Sequence, residues 1–391
     1  MYVPANILSM ITQTSTCRPK SIESIRALRA VAALLVTLFH LAMKMETTTI
    51  HSPVLRCFKS GFGGVDVFFI ISGFIITHTN LTKINCPHLL PTYLKKRLGR
   101  IYAIYWPTVL LATLLLLWLS RLAPALQWLS FPVNPVGVLK AVVLLPTHES
   151  TLPVTWTLSY EIYFYVLFGL VIASRFLLII PLFILGATLL TGLAECFGKT
   201  ALFQFPFHDF FFSPFNLEFC LGIGVYFLTR RCTFKISRSV VAAAIGCFFL
   251  TGELIDPALI WQRILGFGIP GSVILAGLVS WEQSDRCRYP DWLLKLGDAS
   301  YILYLIHVPI IMVLTQAMMR LSLSDYVVTA NFILIGVLCW GSWQLHLRIE
   351  KPILAWISIR QFRPIGFRNR FTGISLMRIG KPQTAHKMVT R

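Results

Sequence analysis

Charge is what this 391-residue chain has least of: Asp and Glu total 16, Lys and Arg 35, and charged residues together make only 13%. A soluble domain carries roughly 25% charged residues, so the composition argues against a soluble globular enzyme and against a disordered chain. Paired cysteines are also missing. The nine cysteines show no Cys-x-x-Cys and no metal-ligand spacing, so neither a disulfide framework nor a bound metal is expected. The polar stretch Met1–Lys20 has no apolar core with a cleavage site. No removable signal peptide is expected, and the first apolar run is expected to act as the insertion signal. No internal repeat or inverted symmetry is visible, which counts against a secondary transporter.

What the chain does have is apolar length. Hydrophobic residues make 56% and the mean hydropathy is +0.71, with many runs near the roughly 20 residues that cross a bilayer. We read ten spans, at 27–45, 62–79, 101–120, 154–173, 176–194, 207–228, 240–254, 264–279, 301–319 and 327–345. All should be helices, because hydrocarbon leaves backbone groups no other partners. The net charge of +19 would suit a phosphate-rich partner. Its basic residues instead cluster between apolar runs, which is the positive-inside pattern; no nucleic acid is expected. Segment 138–145 is apolar but short, and it is interrupted by Lys140 and closed by Pro146. Counting it as a span would put the clusters around Arg231 and Arg360 outside. Leaving it out as a re-entrant or interfacial element places both termini in the cytoplasm.

Ionisable groups inside such runs are costly unless paired or hydrated, so each is a candidate site residue. Arg29 and His40 stand eleven residues apart, three turns plus about 20°, and share one helical face roughly 16 Å apart along the axis. A snorkelling Arg and a packed His would be the plainer account. Asp66 lies in the run Gly64-Val-Asp66-Val-Phe-Phe-Ile-Ile-Ser72-Gly73 and needs a cation or several donors. Arg97 and Arg100 share a face at i and i+3, as a topogenic anchor or as a fork for phosphates. Glu161 follows Trp156 in an aromatic-rich span start. Ser300, Tyr304 and His307 lie on one face of the ninth span, lining a polar site or gluing the bundle together.

In order and spacing these segments resemble the membrane-bound acyltransferase type 3 family, whose members O-acylate polysaccharides, lipopolysaccharide, peptidoglycan and nodulation factors. The resemblance is carried by Arg29 with His40, by Gly64 through Phe74, and by Arg97-Leu-Gly-Arg100-Ile-Tyr102. It continues through Trp156-Thr-Leu-Ser-Tyr-Glu161-Ile-Tyr-Phe-Tyr165, Leu296-Gly297-Asp-Ala-Ser300-Tyr301-Ile-Leu-Tyr304-Leu-Ile-His307 and Glu350-Lys-Pro352. It spans residues 21–356, with 1–20 as a cytoplasmic segment and 357–391 as a basic cytoplasmic tail. It implies a ten-helix core, cytoplasmic acetyl-CoA as acyl donor and a glycan or lipid-linked oligosaccharide as acceptor. Many relatives carry a further extracytoplasmic domain. The shorter form looks like the exopolysaccharide-production branch, a multi-pass protein of the inner (cytoplasmic) membrane.

Transfer from a thioester to a hydroxyl needs a base for the proton and donors for the developing oxyanion. A neutral imidazole suits the first role, and we expect it of His40, oriented by Asp66 or Glu161. Arg97 and Arg100 would hold coenzyme A phosphates while Arg29 stabilises charge further in. Ser72 is a candidate covalent relay, although nothing marks an activated serine elbow. The competing class is a transporter or flippase of a lipid-linked glycan, with His40, Glu161 and His307 as a proton relay.

Overall fold

The computed structural model describes residues 22–47, 57–122, 135–146, 152–198, 206–231, 236–256, 258–321, 323 and 326–359. The N-terminal segment 1–20 and residues 360–391 of the tail lie outside them. The described residues are helical and contain no strand. In chain order the main helices are α1 (Glu23–Thr47), α2 (Gly64–Asn80), α3 (Leu90–Leu122), α4 (Pro135–Val142), α5 (Trp156–Ala173) and α6 (Ile179–Cys196). Then come α7 (Phe215–Arg231), α8 (Arg238–Leu254), α9 (Ile269–Gln283), α10 (Asp291–Arg320) and α11 (Val327–Leu345). A short turn of π-helix leads into α9 and another, His346–Glu350, leads out of α11 into α12 (Lys351–Ile359).

Nine helical stretches among the described residues are long and apolar enough to cross a membrane. The tenth expected span is α8, whose 17 residues rise about 26 Å, at the short end of what a roughly 30 Å hydrocarbon layer accepts. Segment 138–145 falls in and just beyond α4, whose eight residues rise only about 12 Å and cannot span. Its end is closed by a non-glycine C-cap: Leu144 takes φ 55°, and the Leu144 and Leu145 N–H groups donate to the Ala141 and Lys140 carbonyls, a Schellman arrangement. Neighbouring helices supply the remaining donors. Tyr105 Oη reaches the Ala141 carbonyl at 2.5 Å, Trp106 Nε1 that of Val142 at 3.1 Å and Ser159 Oγ that of Leu144 at 2.8 Å.

The expected span 207–228 is broken. A single turn, His208–Phe211, precedes α7, with Pro214 between them, and a proline pushes the residue before it out of helical geometry. Packing follows small residues. The α2–α7 contact is reciprocal: a Cβ on Gly73 would strike the Phe219 carbonyl, and one on Gly222 the Ile70 carbonyl. Only glycine lets the two backbones approach so closely. On α1, Ala30 and Ala33 bury against Leu296 and Leu303 of α10.

The start of α1 is tied to two distant helices. Its first backbone N–H groups, Glu23 and Ser24, donate to the two carboxylate oxygens of Glu282 at 2.8 and 2.7 Å. Arg26 forks Asp298 at 2.8 and 2.5 Å. At the periphery, α6 exposes Ile179, Leu182, Phe183, Leu189, Leu190 and Leu193, an apolar surface suited to lipid rather than water.

Candidate active site

Six of the ten expected site residues line one cavity: Arg29 of α1, Ser72 of α2, Arg97 and Arg100 of α3, Glu161 of α5 and Tyr304 of α10. The cavity encloses about 830 Å³ including its open mouth, and Phe68, Phe69, Tyr165 and Tyr301 supply much of its wall. Local geometry explains the convergence. The i, i+3 spacing puts Arg97 and Arg100 on one face of α3, and Glu161 and Tyr165 stand one turn apart on α5.

The polar groups fall into two kinds. Some are already engaged: Arg97 donates to Thr79 Oγ1 at 2.6 Å and lies 5.5 Å from the Tyr165 ring centroid. Tyr165 Oη donates to Glu161 Oε1. Arg29 and Arg100 are different, since among the described residues neither donates a hydrogen bond to the protein. Arg29 feels Arg100 as a like charge, with Glu161 and Glu350 as the nearest compensation. Two half-buried guanidinium groups with unspent planar donors, and a third beside them, form a receptor for anionic oxygens.

His40 does not line this cavity. It meets His307 from α10, with His40 Nδ1 and His307 Nε2 3.3 Å apart and the ring centroids at 5.0 Å. His307 stands one turn beyond Tyr304, whose ring lies 5.9 Å away. Tyr304 Oη in turn pairs with Thr157 Oγ1 at 2.8 Å, and Thr157 also lines the cavity. A line of polar side chains thus leads from the arginines along α10 to the histidine pair.

Neither carboxylate expected to orient His40 touches it. Glu161 is held by Tyr165. Asp66, fully buried, receives a forked guanidinium from Arg263, Nη2 to Oδ2 at 2.7 Å and Nε to Oδ1 at 3.3 Å. Arg263 is itself clamped between the Phe62 and Phe215 rings, 5.2 Å from each. Glu218 completes this cluster. It is fully buried beside Asp66 and Arg263, and among the described residues neither of its oxygens meets a donor in good hydrogen-bonding geometry. Trp156 packs into the aromatic core against Phe69, Tyr160 and Phe215.

Sequence reasoning missed Arg263 and left Glu218 without a role. The signal was available: placing the start of that span at Ile260, where the helical stretch begins, makes Arg263 an intramembrane cation in search of an anion. A buried Glu350, 2.8 Å from His346 Nδ1, was quoted only for its place in a motif.

The sequence profile of an acyltransferase domain family, type 3, matches residues 22–343. The chain is also 28% identical over 332 residues to the exopolysaccharide production protein ExoZ of Rhizobium meliloti (strain 1021), covering 81% of this chain and 94% of that relative. No solved structure matches. A profile match from the start of α1 to near the end of α11, on an all-helical chain with nine bilayer-length apolar helices, makes this protein a multi-pass membrane acyltransferase belonging to the type 3 acyltransferase domain family.

Proposed function

We propose that the protein is an O-acyltransferase of the inner (cytoplasmic) membrane, moving an acyl group, acetyl in the first instance, from acyl-CoA to a sugar hydroxyl. The acceptor is an exopolysaccharide or a lipid-linked oligosaccharide precursor of one. The observation that carries this reading is the cavity where Arg29, Arg97 and Arg100 converge, two of them with no hydrogen-bond acceptor among the described residues. A donor with several phosphates matches that surplus, since guanidinium groups bind phosphate oxygens in paired, charge-assisted hydrogen bonds. The relative named for exopolysaccharide production supports a glycan as acceptor.

In this reading both termini and the arginine end of the bundle face the cytoplasm, and the thioester arm runs along α10 toward the histidine pair. His40 takes the proton of the attacking hydroxyl as general base. The hydroxyl oxygen bonds to the acyl carbon, the carbon–sulfur bond breaks, and the departing thiolate finally receives the proton that His40 took. Direct transfer is simpler than a relay through Ser72, for which no base stands within hydrogen-bonding reach among the described residues.

The test is incubation of purified protein with acetyl-labelled coenzyme A, with and without an exopolysaccharide oligosaccharide. Free thiol and labelled glycan in equal amounts are expected. A transporter would release no thiol, and that result would end the proposal.

A further inference from the structure

The Asp66 and Glu161 carboxylates are engaged elsewhere, so something else must fix which nitrogen of His40 carries a hydrogen. Two acceptors converge on its Nδ1: the Val36 carbonyl at 2.9 Å and His307 Nε2 at 3.3 Å. A carbonyl can only accept, so Nδ1 must be the protonated nitrogen. The same holds for His307, whose Nδ1 lies 3.0 Å from the Leu303 carbonyl. Its Nδ1 therefore carries the hydrogen, and its Nε2 presents a lone pair to His40. One ordered chain results: His307 Nδ1–H donates to Leu303, His40 Nδ1–H donates to both Val36 and His307, and His40 Nε2 keeps a lone pair with no partner among the described residues.

We propose that His307 is the positioning residue of the reaction, a neutral imidazole doing for His40 what a carboxylate does in a hydrolase triad. This rests on His40 as the base. His307 is fully buried and His40 only half-buried, so the pair has a sheltered end and an end open to a substrate hydroxyl. The contribution is differential. In the resting state the Nδ1–H of a neutral ring is shared between two acceptors. Once Nε2 takes the hydroxyl proton, the same Nδ1–H belongs to an imidazolium, and its bond to the His307 lone pair becomes charge-assisted and stronger. An interaction that strengthens only as the proton moves lowers the barrier without tightening donor binding.

The experiment compares full-length wild type with His307→Leu, His307→Gln, His307→Asn and His40→Ala in one membrane preparation. It measures kcat by thiol release with an oligosaccharide acceptor, and KM for acetyl-CoA. Leu keeps the volume and loses the acceptor, whereas Gln places an amide oxygen near the position of Nε2 and Asn is one methylene too short to do so. Loss of one hydrogen bond to a charged group predicts a kcat about 10- to 100-fold lower in His307→Leu, with the KM for acetyl-CoA unchanged. His307→Gln should recover most of the loss, and His307→Asn should not. If His307→Leu fails to accumulate, the Gln and Asn pair carries the comparison. Wild-type kcat in His307→Leu, or Gln no better than Asn at equal abundance, overturns the proposal. An active His40→Ala instead removes the base assignment beneath it, whereas an inactive His40→Ala with an active His307→Leu removes the positioning role alone.

Discussion

Charge and geometry can be separated at Arg97 and Arg100. Replacing both by Lys keeps the two positive charges that orient insertion and removes the planar forks that grip phosphate oxygens. If those forks hold the donor, the double variant should weaken acetyl-CoA binding about ten- to a hundredfold at normal abundance; unchanged affinity would return the pair to a topogenic anchor. A second test concerns the buried cluster. Arg263→Met strands two buried carboxyl groups inside the helix bundle and should cost about 3–5 kcal/mol, visible as lost abundance and a lower midpoint in detergent. Glu218→Gln replaces a buried carboxyl beside the Asp66–Arg263 pair with a neutral group of the same shape, so its midpoint should hold or rise; a fall as large as that of Arg263→Met would show that the carboxylate is needed. The buried ionisable residues were legible one at a time, because each stands out against an apolar run. Their partners were not. Asp66 and Arg263 lie 197 positions apart and His40 and His307 267 apart, and no local pattern couples residues at such separations.

Helices were the most legible level, since hydropathy sets their existence and length. Their ends and joints were less so. Pro214 splits one expected span, the helical stretch leading into α9 begins at Ile260, four residues before its expected span, and α4 depends on donors from α3 and α5 at its end. The start of α1 shows why ends are hard to read: its capping group is not a neighbouring Ser or Asp but Glu282. Glu282→Ala should therefore behave as an N-cap deletion on α1, costing about 1–2 kcal/mol, although the mutation sits at the end of α9. Glu282→Gln keeps an acceptor oxygen and should cost less. The measurement is the thermal midpoint of the purified protein, and equal midpoints for Ala and wild type would mean that the cap contributes nothing.

For the whole molecule the open quantity is orientation. Reporter tags after Lys83 and after Arg231 should both read cytoplasm. These sites follow α2 and α7, and the eight residues of α4 do not add a crossing between them. An outward tag at Arg231 would mean that the segment around α4 crosses after all. The class of the molecule followed from composition alone, as scarce charge and long apolar runs admit little besides a helical bundle in a membrane. The assembly of the site did not, because it brings together side chains from α1, α2, α3, α5 and α10, spread from residue 29 to residue 307. The Glu282 cap adds a matter of timing. A ribosome delivers roughly 5–20 residues per second, and Glu282 follows Glu23 by 259 positions, so α1 waits roughly 13–50 seconds for its cap. The helix made first is thus capped only after eight others have been made, and any nascent chain cut short before the end of α9 must hold that opening turn together without the Glu282 carboxylate.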